Sequence, residues 1–310
     1  MSLVDPRPDF PGHSDFHDVD ATIQAVRLEL HRENVGGALE LTRAAAAVHP
    51  DRRYDELAEK IRGWLSHLDS RDAYVGAQED QYNRLRWNIG LKWLERRLRV
   101  MLGRKTRKLV RRRAAKPEFQ LLEREILAHR PQRVLDGGSG EGGAALAVGA
   151  RHPWLQVSGV EVSMTNAKLA TQLNRFGNVT FQQGLLEEVH KLFPPKTFDL
   201  VYSFAVLEHV RDVDGTLASM LTVLKPGGRL CFEVPMHEFV AAGPIPEYSP
   251  PHGYCDHVRI FTEAELIRRF GHYPGFTVTK IHSRPKPGEI PDFLKILEFG
   301  SFFVAFTKPA

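Results

Sequence analysis

The stretch Val134-Leu135-Asp136-Gly137-Gly138-Ser139-Gly140-Glu141-Gly142-Gly143 constrains the chain most. Val134 and Leu135 read as the end of a buried parallel strand. Gly138, Gly140 and Gly142 let the backbone turn sharply and present bare N–H groups to a ligand. A helix is expected from Gly143 to about Ala150, with its first N–H groups aimed at the bend, which suits a carboxylate or a phosphate. The architecture implied is α/β.

Gly138, Gly140 and Gly143 also satisfy the dinucleotide pattern Gly-x-Gly-x-x-Gly, a short motif with many false matches. Asp136 separates the two ligand classes. A carboxylate at the strand end repels an anionic pyrophosphate, whereas S-adenosylmethionine (SAM) carries an ammonium and a sulfonium and is attracted. Here the sequence resembles the class I SAM-dependent methyltransferases, whose first motif is apolar-apolar-acid-x-Gly-x-Gly-x-Gly. The resemblance implies a Rossmann-like, seven-stranded, mostly parallel sheet. SAM would be the cofactor and S-adenosylhomocysteine its product, with Asp136, Gly138, Ser139 and Gly140 among the cofactor contacts.

Four later segments follow in order, three of them matching. Gln156 to Val162 reads as a second strand closing on Glu161, about twenty residues after the glycines, the offset at which an acid meets a ribose; Val162 follows it. Val179 to Gly184 gives a third strand, after which the family usually places an acid for the adenine amino group. Leu185 stands there instead, so the Leu185 and Leu186 backbone, or Glu187, would hold adenine. Phe198 to Val210 resembles the fourth strand and turn of the small-molecule branch, with Ser203 and Phe204 at the cofactor. The Asn-Pro-Pro-Tyr element of base-flipping amino-methylating enzymes is missing there, which disfavours a nucleic-acid substrate. Leu224 to Pro235 supplies a helix end, a Pro226-Gly227-Gly228 turn and a fifth strand.

At 310 residues and 42% hydrophobic content the chain is long enough for a core beyond this fold. We read a tail over 1–17, a small helical bundle over 18–70, a long basic helix and linker over 71–116, and the SAM-binding domain over 117–310. Helices are expected at Asp20 to His31, Val35 to Val48 and Asp51 to Leu68, broken at Glu33-Asn34 and at Pro50, with Asp18 or Asp20 capping the first. Cys231 and Cys255 form no CxxC pair, so neither a disulfide framework nor a zinc site follows. With no apolar leader and no run of about eighteen apolar residues, the expectation is a cytoplasmic protein.

A helix is expected from Asp72 to Leu102, with Trp87, Leu91, Leu94, Leu98 and Met101 as its packing stripe. Tyr82, Arg84 and Arg86 are candidates for the methionine carboxylate of the cofactor, by resemblance to saccharide methyltransferases. Between Lys92 and Lys116 stand twelve cations and one acid, Glu95, while the whole chain is only +4, so the high isoelectric point is a local property. Such a run is commonly a solvated face. Its functional readings are an anionic acceptor, an acidic membrane surface contacted peripherally, or RNA.

The segment from Met236 to Phe261 is read as a loop at the carboxyl edge of the sheet, where open α/β folds bind ligands. His237, Tyr248, His252, Tyr254, Asp256 and Arg259 are its candidate acceptor-binding groups. Methyl transfer to oxygen needs alignment and removal of a hydroxyl proton, and His257 and His209 are the candidate bases. Glu208-His209 also resembles an acid-histidine pair that holds a metal in some quinone-directed members. Those carry a further acid where Ala205 stands, so no metal is expected, although Asp256 and His257 could supply the missing ligands. Thr262 and Glu265 form a capping box; a sixth strand begins at Gly275 and a seventh at Ser301, and the connection between Ser283 and Gly300 has no assigned purpose. The reading is a SAM-dependent methyltransferase, O-methylating a small-molecule or saccharide-type acceptor in natural product or polysaccharide biosynthesis, its helical region aiding recognition, closure or self-association. The alternatives are an RNA or protein methyltransferase using residues 92–116, and a non-catalytic scaffold.

Overall fold

The computed structural model describes residues 16, 18–87, 103–250, 257–285 and 290–310, the side chains of 81–87 excepted. The amino-terminal helices are α1 (Val19–His31), α2 (Val35–Val48), α3 (Arg52–Leu65) and α4 (Arg71–Trp87). Asp18, not Asp20, caps α1 by accepting from Ala21 N at 3.0 Å, and Asn34 caps α2 by accepting from Gly37 N at 3.3 Å. Between them Glu33 takes a left-handed conformation, φ 65°, which costs a non-glycine residue roughly 1–2 kcal/mol. Val26, Leu30, Val35, Leu41, Tyr54 and Ile61 bury the apolar stripes of α1 to α3 against one another. The remainder of the expected long helix, with Leu91, Leu94, Leu98 and Met101, lies outside the described residues.

Next come α5 (Arg104–Ala114) and α6 (Pro117–His129), then a seven-stranded sheet. Its strands are β1 (Arg133–Gly137), β2 (Gln156–Glu161), β3 (Val179–Gln183), β4 (Phe198–Phe204), β5 (Leu224–Ala241), β6 (Thr277–His282) and β7 (Leu294–Thr307), in the spatial order β3-β2-β1-β4-β5-β7-β6. The first five are parallel, and β7 lies antiparallel between β5 and β6. The crossovers carry α7 (Gly143–Arg151), α8 (Met164–Leu173), α9 (Val189–Leu192) and α10 (Val213–Val223), and α11 (Glu263–Phe270) precedes β6. Both faces of the sheet are covered, which is why its strands read as continuous apolar runs. Neighbouring residues of one strand serve opposite cores: Leu135 packs with Met220 and Phe270, and Val134 with Phe119, Leu122 and Ile126 of α6. Among the described residues no helix is long and apolar enough to cross a membrane.

The segment after Pro235 differs from the expectation. Residues 236–241 are strand rather than loop, and β7 begins at Leu294 rather than Ser301. The two pair from Pro235↔Ser301 to Ala241↔Leu294, with a bulge at Glu238/Phe239. Pro235 suggested a strand end because it has no N–H to donate. It lies beyond Phe204↔Glu233, where β4 stops, so β5 is flanked there by β7 alone, a position that accepts proline. The ribbon so formed absorbs much of the connection for which no purpose was assigned. At α11 the cap is half of the expected box: Thr262 Oγ1 accepts from Glu265 N at 3.1 Å, while the Glu265 carboxylate pairs with Arg269.

The amino-terminal helices dock on this ribbon and on the segment after it. The Arg32 guanidinium donates to Phe239 O, Ile245 N donates to Gln24 Oε1 at 2.8 Å, and Gly36 N donates to Val258 O at 2.8 Å.

Candidate cofactor and acceptor site

The glycine loop folds back over the end of β2. Gly138 N and Ser139 N both donate to Val160 O, at 2.8 and 2.9 Å. Gly138 has φ 77°, and a Cβ there would lie 2.2 Å from Val206 Cγ2; Gly142 has φ 82°, and a Cβ would lie 2.7 Å from the Phe181 ring. Only glycine meets both the dihedral and the space. Glu161, 3% exposed, ties the loop down, accepting from Gly140 N at 2.8 Å and Ser163 N at 3.0 Å. Burial raises its pKa, and these two N–H groups oppose the rise.

A cavity of about 510 Å³ opens in front of this loop. Of the cofactor residues expected from sequence, Gly138, Ser139, Gly140, Glu161, Val162 and Phe204 line it, together with His209. The Ser139 hydroxyl is buried without a hydrogen-bond partner among the described residues. A glycine cradle, an acid at the second strand end and an orphaned hydroxyl fit an adenosyl group with ribose hydroxyls.

Asp136, Leu185, Leu186 and Ser203 are not among the residues that line the cavity. Asp136 is 2% exposed and accepts from Ala145 N at 3.1 Å, so it joins β1 to the start of α7 rather than facing a ligand. Burial pushes its carboxyl up to about 7, against the pull of the Tyr202 hydroxyl, Arg113 and the Ala145 N–H. Ser203 Oγ donates to Gly137 O at 2.8 Å. Leu186 packs its methyls against Gly137, and Leu185 precedes a short 3₁₀ turn.

The cavity is also lined by Tyr74 and Gln78 of α4, Leu109 of α5 and Glu118, which sequence alone did not select, and by Arg112, Arg113 and Lys116 of the basic tract, for which an anionic acceptor was one reading. The side chains of Tyr82, Arg84 and Arg86 lie outside the described residues. α5 packs on α7 through Leu109 and Val110, and its Thr106 Oγ1 donates to Leu173 O at 2.7 Å. Arg104, Arg107, Lys108 and Arg111 are exposed, the solvated face expected of a charge run. Arg112 is exposed as well but lines the cavity, and Arg113, which also lines it, is half-buried.

At one end of the cavity three histidines gather on one carboxylate. His209 and His257 stand with ring centroids 4.6 Å apart. His257 Nδ1 is hydrogen-bonded to Glu33 Oε2, and His237 Nδ1 lies 3.8 Å from the same oxygen while its ring stacks on Phe299 at 4.8 Å. Burial works to raise the Glu33 pKa, but the His257 bond and the charges of His257, His237 and His209 outweigh it and hold the carboxyl low. Glu208 is 1% exposed, its Oε2 has no hydrogen-bond partner among the described residues, and burial pushes its pKa up to about 8. Ala205, at the mouth of this wall, is left-handed with φ 52°.

The two candidate bases are therefore adjacent, and His237 joins them from β5. Arg259 and Tyr248 are used otherwise. The Arg259 guanidinium donates to Leu207 O, Val210 O and Arg211 O at 3.1, 2.6 and 3.4 Å, clasping the turn after β4. Tyr248 packs edge-on to His31 and Trp64, 5.2 and 5.5 Å between centroids, on the helical bundle. Both were read as acceptor groups because a polar loop does not reveal which side chains it spends on its own support. His252, Tyr254 and Asp256 lie outside the described residues. Glu33 was visible in sequence only as a helix break; nothing in its neighbours points to an imidazole more than two hundred residues away.

Residues 104–281, more than half of the chain, match a family model described as a methyltransferase domain. With this sheet order and glycine loop, the chain belongs to the class I SAM-dependent methyltransferases, whose cofactor is SAM. Similar proteins include the demethylmenaquinone methyltransferase of Tropheryma whipplei (strain Twist), 33% identical over 100 residues, 32% of this chain and 40% of that protein. Another is the ubiquinone biosynthesis O-methyltransferase of Vibrio cholerae serotype O1 (strain M66-2), 29% identical over 149 residues, 46% of this chain and 60% of that protein. Each match spans less than two thirds of the relative's length. Among solved structures, the YcgJ protein of Bacillus subtilis aligns with a TM-score of 0.45 at 19% identity, over 62% of this chain and 98% of that one.

Proposed function

We propose that the protein methylates a hydroxyl oxygen of a small-molecule or saccharide-type acceptor. The observation that carries this is His209, which belongs both to the cofactor cavity and to the imidazole cluster. SAM supplies an electrophilic methyl carbon on a sulfonium, and displacement in line from that carbon needs little from the protein beyond alignment and proton removal. Gly138, Ser139, Gly140, Glu161 and Val162 would hold the adenosyl part. Glu33 fixes His257 with its proton on Nδ1, which leaves Nε2 as the basic nitrogen. A hydroxyl placed at His209 and His257 would pass its proton to this pair, and Glu33 would stabilise the resulting imidazolium.

Arg112 and Lys116 on the cavity wall favour an acceptor that carries negative charge. The names of the two relatives make phenolic compounds of quinone pathways the first acceptors to screen. The test is release of S-adenosylhomocysteine across a panel of phenols, sugars and sugar phosphates, alongside calorimetry of SAM and S-adenosylhomocysteine. Oxygen-linked methyl product with one acceptor class, lost in Glu33→Gln and His257→Ala, is the expected result. Methyl product on carbon or nitrogen, or full activity in both variants, overturns it.

A further inference from the structure

We propose that Glu208, His209 and His257 form a binding site for a single divalent first-row transition-metal cation, with Glu33 as its outer carboxylate. One ligand atom from each of the three residues lies within 4.8 Å of the other two. A cation holds imidazole nitrogens and carboxylate oxygens at about 2.0–2.2 Å, so ligands of one ion stand at most about 4.4 Å apart. Small side-chain rotations close that difference. The backbone is already fixed, because Val258 N donates to Glu208 O at 2.8 Å and binds the His257 segment to the turn that carries Glu208 and His209.

The second observation is independent of that spacing. Glu208 is 1% exposed, and its Oε2 has no hydrogen-bond partner among the described residues. A buried carboxylate oxygen left unpaired costs about 1–3 kcal/mol or more, and such a group calls for an explanation. A cation at the trio supplies the missing partner. The third observation is the Glu33 bond to His257 Nδ1. A metal-bound imidazole almost always donates its other N–H to a carboxylate or carbonyl, which fixes the tautomer and turns the opposite nitrogen to the ion. Two imidazoles with one carboxylate, leaving positions open, suit iron(II), cobalt(II), manganese(II) or zinc(II) rather than calcium or magnesium.

In the sequence Ala205 stands where a nearby acid was wanted, with Asp256 and His257 as the residues that could replace it. The fold brings His257, from the segment after β5, to Glu208 and His209. What the ion is for rests on the methyltransferase reading, whereas its binding does not. His209 shares a wall with the cofactor cavity, so an ion here is within reach of an acceptor oxygen. In the loaded protein the imidazoles serve as ligands rather than bases. The coordinated hydroxyl loses its proton to solvent because the cation lowers its pKa. The oxygen then forms its bond to the methyl carbon as the carbon–sulfur bond breaks, the electron pair staying on sulfur.

The test needs no acceptor. Full-length protein is stripped with EDTA, dialysed, and titrated with Co²⁺ followed by visible absorption and with Mn²⁺ followed by loss of the free-ion EPR signal. One ion per chain is expected, with an X-ray absorption spectrum of the Co²⁺ form showing two imidazole ligands in the unmodified protein. Glu208→Gln and His257→Ala should abolish the site, and Glu33→Gln, whose carboxylate is 45% exposed, should weaken it about ten- to a hundredfold. No saturable binding of either ion, binding unchanged in all three variants, or a spectrum without imidazole overturns the proposal. Calorimetry of S-adenosylhomocysteine on the metal-free protein is the separate arm: its failure sinks the methyltransferase reading and leaves the cation result standing.

Discussion

Asp136 is a buried carboxylate at the foot of the glycine loop. It closes β1 and accepts from Ala145 N, so it holds the start of α7 against the strand over which the glycine loop bends. Its pKa is about 7 in the folded chain against an ordinary 3.8. The folded state therefore binds a proton that the unfolded state releases. The stability it contributes is complete below about pH 3.8 and is lost as the pH rises through about 7, above which the loss is constant. Asp136→Asn keeps the acceptor for Ala145 and removes the charge. Its thermal midpoint in the absence of cofactor should gain on that of the parent between pH 4 and pH 7 and run parallel above; midpoints parallel throughout would refute the assignment. Gly138→Ala tests the loop. A methyl group 2.2 Å from Val206 Cγ2, at φ 77°, must displace the turn, so S-adenosylhomocysteine affinity by calorimetry should fall at least about tenfold, the loss that about 1.4 kcal/mol produces.

At the scale of elements, β5 does the most varied work. Near its start Arg229, 5% exposed, donates to Glu125 of α6 at 2.6 Å and to Gly275 O at 2.8 Å, joining a helix, the sheet and the turn before β6. Removing one partner of a buried pair costs about 3–5 kcal/mol, because the remaining charge is uncompensated. Glu125→Ala should therefore lower the denaturation free energy by about that amount with an unchanged m-value. Past Glu233 the same strand leaves β4 behind and continues with β7 as a two-stranded ribbon carrying His237. The sequence stopped this strand at Pro235, since a proline's missing donor reads the same whether the neighbouring position is occupied or empty. α5 is the second case. Its cations were countable, but which of them turn inward depended on Leu109 and Val110 finding α7.

For the whole molecule, the amino-terminal helices are part of the site rather than an appendage. Glu33 reaches the imidazole cluster because α1 and α2 are fixed on the catalytic fold by Arg32 on Phe239 O, Gln24 on Ile245 N and Gly36 on Val258 O. The left-handed turn at Glu33 is strain that this docking over-determines. Arg32→Ala should loosen the contact without unfolding either part. Amide hydrogen exchange should accelerate in α1, in α2 and at residues 257–261, while β1 to β4 keep their protection; a uniform increase would instead indicate global destabilisation.

The sequence by itself determined the family and the cofactor. Strand ends, glycines and acids recur there at short separations along the chain, where backbone dihedrals and strand period act locally. It also located the helix break at Glu33-Asn34 and named His209 and His257 as the pair to watch. Only the tertiary structure decided that Asp136 is buried, that Arg259 and Tyr248 support the fold, and that Glu33 and His257 meet beside the Glu208-His209 pair. Those outcomes depend on contacts between residues up to 224 positions apart, such as Glu33 with His257. Such contacts are set by how the docked surfaces pack, and pattern along the chain carries no record of that.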